Sequence, residues 1–376
     1  MDFNYTDEQT MLADSLGRWL ESNYDFARRR RLAAGEESSH RIWRQLAELG
    51  LLGLQVPEER GGLGGSPVDA LIVMQSLGRA LVVEPYLPTA VVSAPLLARI
   101  GTNSQREALL PEIVAGDCRV VVATCEPAAR FDLEHIGTRA IRRGDRFVLN
   151  GRKSVVIGAD SAHYLIVSAR TAGDVCDMQG ISLFIVPVDA AGLVIRATPT
   201  IDGQRAAEVS LENVELGAEA LLGAQDAGYS ELERAIDCGI AGLCAEAVGV
   251  MERLLEMTAE HLRTRRQFGQ PIGNFQALQH RAADMAIAIE QARSTALLAA
   301  AKVEAEDRRV RRRAISAAKV MAGQSGRYVG EQAVQLHGGM GMTDDLPVGW
   351  YFKRLVAIDL TYGDAGHHLE LYGGLL

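Results

Sequence analysis

Two segments combine cationic, amide and glycine residues in a pattern that suits a phosphate-bearing ligand. Residues 263–285 read RTRRQFGQPIGNFQALQHRAADM, and residues 332–343 read QAVQLHGGMGMT. The first segment ends a helical pattern at Arg265 and turns at a Gly-Gln-Pro sequence before the helical pattern resumes. A guanidinium supplies a fork of hydrogen-bond donors, and glycines such as Gly338 and Gly339 let backbone N–H groups approach a ligand closely. These segments therefore form a candidate anion-binding site.

A carboxylate on a small, apolar helix face is the candidate general base. Glu246 follows Gly239 by seven residues, two turns along the same face of a predicted helix. A carboxylate on that face would be partly desolvated, which is the environment that a base working near neutral pH needs. The same burial also fits a structural glutamate paired with an arginine, Arg253 being one candidate. Both interpretations stay open at this point.

Three compositional zones predict the elements that position these residues. Residues 4–115 carry helix-period apolar patterns, residues 117–222 contain short β-rich runs, and residues 226–376 return to long, Ala-rich helical patterns. Because these runs are segregated rather than alternating, the sequence predicts an α+β fold. The later helices are predicted at 227–264, 276–306, 310–336 and 346–358. We expect an N-terminal α-helical domain at 1–116, a middle β-domain at 117–224 and a C-terminal helical bundle at 225–376.

Composition and charge argue against several classes of protein. The 376 residues include 39 Lys and Arg against 48 Asp and Glu, and a net charge of −9 disfavours nucleic acid as the main partner. We expect neither a secretory signal nor a transmembrane helix, because no suitable apolar run is present. The five cysteines form no C-x-x-C pair, which favours a reduced, cytoplasmic protein. His367 and His368 have no third ligand at a suitable spacing, so no metal site is expected.

The two candidate ligand-binding segments resemble the acyl-CoA dehydrogenase family. The string R-x-Q-F-G-x-P-I-x-x-F-Q, followed by A-x-Q-x-x-G-G, is a specific signature of that family, and the resemblance covers essentially the whole chain. It implies a helical domain, a small β-domain and a four-helix bundle, with FAD bound at subunit interfaces. It also implies a reaction in which a carboxylate removes the α-proton of an acyl-CoA while the β-hydrogen leaves as hydride, which gives a 2-enoyl-CoA.

The resemblance also implies the residues that contact the cofactor. The positions that meet the FAD pyrophosphate and ribityl region are Arg265, Gln267, Phe268 and Gln276. The positions near the adenine end are Gln335, Gly338 and Gly339. In the family these segments serve the flavin of the neighbouring subunit. The implied substrate is an acyl-CoA, and the implied electron acceptor is an electron-transfer flavoprotein or a similar protein.

Both positions that carry the catalytic base in this family lack a carboxylate here. The Glu of the family's I-Y-E-G-T-like string falls on Tyr362, and a phenol with a pKa of about 10 is a poor base at neutral pH. Some family members place this Glu on the long central helix instead, where the position falls on Gly239. The remaining candidate bases within this chain are Glu246, which we favour, Asp237 and Asp364.

The segment that would face the chain's own flavin is altered as well. The family's T-E-P-x-A-G-S-D string has Cys125 in place of Thr and Phe131 in place of Ser, and its W-I-T string is replaced by residues 155–157, Val-Val-Ile. Two hydroxyls and an indole are lost by these replacements. Cys125 remains a candidate flavin contact because its backbone donor could still serve.

The losses follow a pattern that predicts a subunit of a heteromer. The segments that serve a neighbour's flavin are intact, whereas those for the chain's own flavin and base are altered. Strings at 245–249, 275–280 and 363–369 are similar to the small subunits of pimeloyl-CoA dehydrogenases. That similarity implies a large partner subunit in an α2β2 tetramer and a dicarboxylic or ring-bearing acyl-CoA. The alternatives are a homo-oligomer that uses Glu246 as base, and a catalytically inactive structural or CoA-binding subunit.

Overall fold

The computed structural model describes residues 5–376, so the first four residues of the predicted N-terminal domain lie outside it. The part of the chain before the first strand is helical, as predicted. Its α-helices are α1 (Asp7–Asn23), α2 (Phe26–Ala34), α3 (His40–Glu48), α4 (Pro67–Ala80), α5 (Ala94–Ile100) and α6 (Asn103–Ala115). A π-helical segment, Leu87–Ser93, runs directly into α5.

The middle of the chain forms one sheet with mostly antiparallel neighbours. Its strands are β1 (Val120–Ala123), β2 (Arg139–Arg143), β3 (Arg146–Ile157), β4 (Tyr164–Arg170), β5 (Ile181–Pro187), β6 (Leu193–Pro199), β7 (Arg205–Gly217) and β8 (Leu221–Leu222). Their order is β6-β7-β3-β2-β4-β5-β8, and β1 pairs in parallel with β4. The β-rich runs predicted from the sequence form five of these strands. The sequence analysis missed β2 and β6, whose side chains are mostly exposed, and the two-residue strand β8.

An irregularity in β3 determines which side chains the sheet presents. The register with β7 shifts between Lys153 and Val156, and Val155 has a left-handed backbone with φ of 51°. A bulge of this kind bends a strand and re-aims its side chains. As a result Lys153 is fully buried, whereas Val155, at the position of the family's Trp, is 59% exposed.

The C-terminal part is helical, as predicted. Its helices are α7 (Gly228–Thr264), α8 (Gln276–Lys302), α9 (Arg308–His337), α10 (Val348–Leu360) and α11 (Ala365–Gly374). A two-strand hairpin, β9 (Arg266–Gln267) and β10 (Gln270–Pro271), connects α7 to α8. α8 ends four residues earlier than predicted, and α11 was not predicted. The helices α8, α10 and α11 all pack against α9. This order of elements confirms the predicted α+β fold.

Packing divides the chain into two compact units. One comprises the chain up to Glu36, Pro67–Val83 and Ile240–Leu376, and the other comprises Glu37–Ser66 and Glu84–Gly239. The three domains predicted from composition follow the chain, whereas these units both include parts of the helical N-terminal region. None of the helices in residues 5–376 is long and apolar enough to cross a lipid bilayer.

Candidate functional site

The hairpin between α7 and α8 carries the predicted pyrophosphate-binding residues. Gln267 pairs with Gln270, so the loop between the strands is only Phe268 and Gly269. Both loop residues have positive φ, 53° and 79°, as a type I′ turn requires. The N–H of Ile272 donates to the carbonyl of Arg265 at 2.8 Å and closes the base of the hairpin. The tight turn thus fixes the positions of the hairpin residues relative to one another.

The side chains of this hairpin are free to meet a ligand or a second chain. Arg265, Arg266 and Gln267 are exposed, and Phe268 is 89% exposed. The Phe268 ring makes only an edge contact with Phe275, at a centroid distance of 6.0 Å. A large aromatic residue in the left-handed region is conformationally unfavourable, and such strain is concentrated at functional positions. Gln276, the first residue of α8, is exposed as well.

A glycine turn follows α9 and contains the second group of predicted cofactor contacts. Gly338 has φ of 62° and ψ of −146°, a conformation that is accessible essentially only to glycine. A Cβ atom placed on Gly338 or Gly339 would meet no atom within 4 Å, so a ligand could approach this backbone closely. Gln335 is exposed one turn before. The geometry therefore suits contact between the main chain and a bound group.

Two histidines that the sequence analysis missed bring the hairpin and the glycine turn together. His261 of α7 stacks on His337 of α9, with ring centroids 4.5 Å apart and ring planes at 28°. His261 lies one turn before Arg265, and His337 directly precedes Gly338. We call residues 265–276 and 335–339 together the hairpin–turn surface. The only signal in the sequence was a histidine just before each segment, which does not by itself predict a contact.

The candidate base Glu246 is committed to a buried ion pair. Arg354 donates from Nε and Nη2 to the two carboxylate oxygens of Glu246 at 2.6 and 2.7 Å, and both side chains are more than 90% buried. Arg253, the partner suggested from the sequence, is wrong, since it pairs with Glu256 at 3.0 Å. This geometry matches the alternative in which Glu246 is a structural residue paired with an arginine. To accept a proton from a substrate, Glu246 would have to leave this guanidinium.

The loop that bears the family's usual base is retained although the carboxylate is absent. Tyr362, the residue that the sequence analysis aligned with the base position, has a left-handed backbone with φ of 59°, and Gly363 follows with φ of 107°. The Lys319 ammonium donates to the carbonyls of Ile358, Asp359 and Gly363 at 2.7, 2.7 and 2.8 Å, which anchors this loop. Burial lowers the pKa of Lys319 to about 8. The loop is thus held firmly but presents a phenol.

A buried lysine–glutamate pair supports the segment that would face the chain's own flavin. The Lys153 ammonium donates to Glu126 at 2.7 Å, and Glu126 also accepts from the N–H groups of Gly137 and Thr138 at 2.7 and 3.0 Å. Burial would raise the pKa of Glu126, but Lys153 and these donors outweigh it, so the pKa lies below its ordinary value. Sequence analysis missed this pair because neither residue belongs to a charged cluster.

The altered side chains around Cys125 offer little to a flavin ring. The Cys125 carbonyl accepts from the N–H of Ser154 at 2.9 Å, and its thiol contacts the Ser154 hydroxyl at 3.8 Å. The aliphatic Val155 stands beside this segment where the family has an indole. Hydrogen bonding to an isoalloxazine from these positions is therefore left to the backbone.

Comparison with known proteins identifies the chain. Family models match it along nearly its whole length: the acyl-CoA dehydrogenase N-terminal domain at residues 6–117, the middle domain at 122–214 and the C-terminal domain at 226–371. The probable acyl-CoA dehydrogenase YngJ of Bacillus subtilis is 32% identical over 352 residues, which cover 91% of this chain and 90% of YngJ. This chain belongs to the acyl-CoA dehydrogenase family.

Solved structures of related proteins share the fold. A G363A variant of the Tcur3481-Tcur3483 steroid ACAD is 34% identical, with a TM-score of 0.86 over 98% of this chain and 97% of that one. The ChsE4-ChsE5 complex from Mycobacterium tuberculosis is 28% identical, with a TM-score of 0.90 over 100% of this chain and 98% of that one. Because each comparison covers nearly the whole of both chains, the similarity includes the N-terminal helices, the sheet and the C-terminal helices.

Membership establishes the class of reaction and the cofactor. Acyl-CoA dehydrogenases are FAD-dependent oxidoreductases that act on CH–CH bonds, and this chain is an enzyme of that family. The hairpin–turn surface fits part of FAD well, because exposed guanidinium and amide donors adjoin open glycine backbone, as an anionic pyrophosphate and its neighbouring hydroxyls need. The segment around Cys125 fits an isoalloxazine less well, because a thiol and an aliphatic side chain replace hydroxyl and indole groups.

Proposed function

We propose that this chain is the small subunit of a heteromeric acyl-CoA dehydrogenase, with the main catalytic base in a larger partner subunit. The complex oxidises an acyl-CoA to its 2-enoyl-CoA. The observation that carries the proposal is a contrast within one chain. The hairpin around Phe268 keeps all its predicted cofactor-binding residues, and nothing in the described chain covers Phe268. The candidate base Glu246, in contrast, is held in an ion pair by Arg354.

In this proposal the hairpin–turn surface binds an FAD that a partner subunit also contacts. Arg265 binds the pyrophosphate, Gln267, Phe268 and Gln276 orient the adjoining ribityl region, and Gln335, Gly338 and Gly339 contact the adenine end. FAD, when bound, supplies the acceptor for the β-hydrogen of the substrate as hydride. This chain's own residues bind and orient the cofactor and exclude water from its phosphate end. The proton is removed by a carboxylate of the partner.

The related structures support a heteromer and indicate substrate classes to test. Both are named after two polypeptides, Tcur3481-Tcur3483 and ChsE4-ChsE5, and the first is a steroid ACAD. The strings at 245–249, 275–280 and 363–369 resemble the small subunits of pimeloyl-CoA dehydrogenases. We therefore propose an α2β2 tetramer that acts on a ring-bearing or dicarboxylic acyl-CoA. Electrons then pass to an electron-transfer flavoprotein or a similar acceptor.

The content of FAD per polypeptide tests this proposal most directly. The chain purified alone should contain almost no FAD, and co-expression with its partner should give about one FAD per pair of unlike chains. About one FAD per chain in the chain alone would overturn the heteromer and favour a homo-oligomer. A colourless complex with the partner would instead favour a structural or CoA-binding subunit.

A matched pair of arginine variants tests the role of the hairpin. Arg265→Ala should lower the FAD content of the complex, because a guanidinium on the pyrophosphate is removed. Arg263→Ala is the control, since Arg263 is two residues away, equally exposed and paired with Glu260 at 3.1 Å. Equal FAD content in both variants would contradict the assignment of Arg265.

A further inference from the structure

The stacked histidines lie where the two halves of the hairpin–turn surface meet. His261 belongs to the last turns of α7, which leads into the hairpin, and His337 is the last residue of α9, which leads into the glycine turn. The rings are 4.5 Å apart and nearly parallel. Because each ring is one helical turn or less from its half of the surface, a change in the stack is transmitted to both halves.

A hydrogen bond fixes the orientation of the His337 ring. Its Nδ1 lies 2.8 Å from the carbonyl oxygen of Ala333, so this nitrogen carries a hydrogen and donates it. The ring is buried, with 8% of the residue exposed. This bond holds the His337 ring against His261, so a proton taken up by His261 would place a cation against the His337 ring.

Arg265 opposes such a cation, and the carboxylates nearest in sequence on α7 and α9 are engaged by other arginines. On α7, Arg265 lies one turn from His261, and Glu260 is engaged by Arg263. On α9 and the turn, Glu331 pairs with Arg327, and residues 338–342 carry no charge. On α8, Arg281 donates to Gln332 of α9 at 3.2 Å. Within residues 5–376 neither histidine forms an ion pair with a carboxylate. Burial lowers the pKa of His261, and His337 and Arg265 lower it further.

We propose that His261 and His337 are positioning residues that hold the hairpin and the glycine turn together as one surface, and that acidification separates them. The role of that surface toward FAD rests on the proposed function, whereas the coupling of its two halves does not. The rings stack while His261 is neutral, and protonation of His261 sets a cation against His337 and Arg265. The surface is therefore assembled above the ordinary pKa of histidine, about 6.5, and loosens as the pH falls below it.

Hydrogen exchange of the full-length chain, without FAD or partner, tests the coupling. The amides to follow are those of Gln270 and Ile272 in the hairpin, with protection corrected for the intrinsic effect of pH. Protection should be constant from pH 8 to 7 and then fall by up to about tenfold per pH unit once His261 titrates. The β4–β5 ladder, where Ile166 pairs with Ile185, is the internal control and should not change in this range.

Aromatic variants separate the positioning role from simple packing. His261→Phe/His337→Phe keeps two stacked rings without a titrating group, so hairpin protection should become independent of pH. His261→Tyr, a smaller change, should flatten the profile partly and serves if the double variant does not fold. A hairpin that loses protection equally in the wild type and both variants, or in none of them, overturns the proposal.

A second readout connects the pair to the cofactor. In the co-expressed complex, FAD retention should fall below about pH 6 in the wild type and persist in His261→Phe/His337→Phe. If the complex proves to contain no FAD, the proposed function fails while the exchange experiment still decides the coupling. If exchange is independent of pH but FAD binds as proposed, the coupling alone fails.

Discussion

Arg354 of α10 holds both carboxylate oxygens of Glu246 on α7, at 2.6 and 2.7 Å. Glu246 also lies where two helices come very close, since a Cβ on Gly78 of α4 would come within 2.3 Å of its backbone oxygen. The pair thus ties α7 to α10 at a point where α4 approaches α7 so closely that Gly78 could not carry a larger side chain. A carboxylate in this setting stabilises packing and is poorly suited to exchange a proton with a substrate.

The Glu246–Arg354 pair predicts a stability defect that a second substitution relieves. Glu246→Gln should lower the free energy of unfolding by about 3–5 kcal/mol, because it leaves a buried guanidinium without its counter-charge. Glu246→Leu/Arg354→Met removes both charges and should recover most of that loss. Urea unfolding of the full-length chain measures both. Full stability of Glu246→Gln combined with loss of turnover in the complex would show instead that Glu246 is the base.

The tip of the hairpin predicts that stability and binding can be separated. Phe268→Asn creates an Asn-Gly turn, which is favoured in type I′ geometry, and should raise the free energy of unfolding by up to about 1 kcal/mol. Because the Phe268 side chain is 89% exposed, little packing is lost in the isolated chain. The same variant should retain less FAD in the complex. A variant that binds FAD as the wild type does would remove Phe268 from the proposed site.

The Lys153–Glu126 pair predicts a dependence of stability on acid. The pKa of Glu126 in the folded chain lies below its ordinary value of 4.5, so the unfolded chain binds more protons as the pH falls. The stabilisation is complete above about pH 4.5 and is lost as the pH falls toward the lowered pKa. Glu126→Gln should have a shallower loss of stability between pH 5 and 3, measured by urea unfolding. Identical slopes for the two proteins would contradict this prediction.

The sequence predicted the class of fold well because its signals were local. Apolar periodicity gave α7 and α9 to within two residues at each end. The strands β2 and β6 and the short helix α11 were missed because few of their side chains are buried, so no apolar periodicity marks them. Helix α9 begins at Arg308, two residues before the predicted start, and Asp307 caps it by accepting from the N–H groups of Arg309 and Val310.

The candidate site was predictable where a motif supplied it and unpredictable where distant residues meet. The hairpin and the glycine turn were found by their spacing, and the structure brings them together. The partner of Glu246 was missed because Arg354 is 108 residues away in the sequence. The pairs His261–His337 and Lys153–Glu126 were missed for the same reason. Contacts of this kind depend on how helices and strands pack. The residue types and spacings of a single sequence do not show which distant residues meet.

Arg119 is a buried arginine of the compact unit that contains the sheet. The Arg119 guanidinium stacks on Trp43 at 4.6 Å from the ring centroid, and its Nε and Nη2 have no hydrogen-bond partner. It forms no ion pair within residues 5–376, and burial lowers its pKa despite Glu84 and Asp160. Arg119→Met keeps an apolar side chain on the indole and removes this charge, so it should raise the free energy of unfolding by about 1–3 kcal/mol.

Arg44→Met provides the comparison for that experiment. Arg44 neighbours Trp43 in sequence but is exposed and pairs with Asp117, so its replacement should change stability by no more than about 0.5 kcal/mol. Urea unfolding of the two variants and the wild type at pH 7 measures the difference. If Arg119→Met is destabilised by more than Arg44→Met, the guanidinium contributes more through its stacking on Trp43 than its burial costs, and the prediction fails.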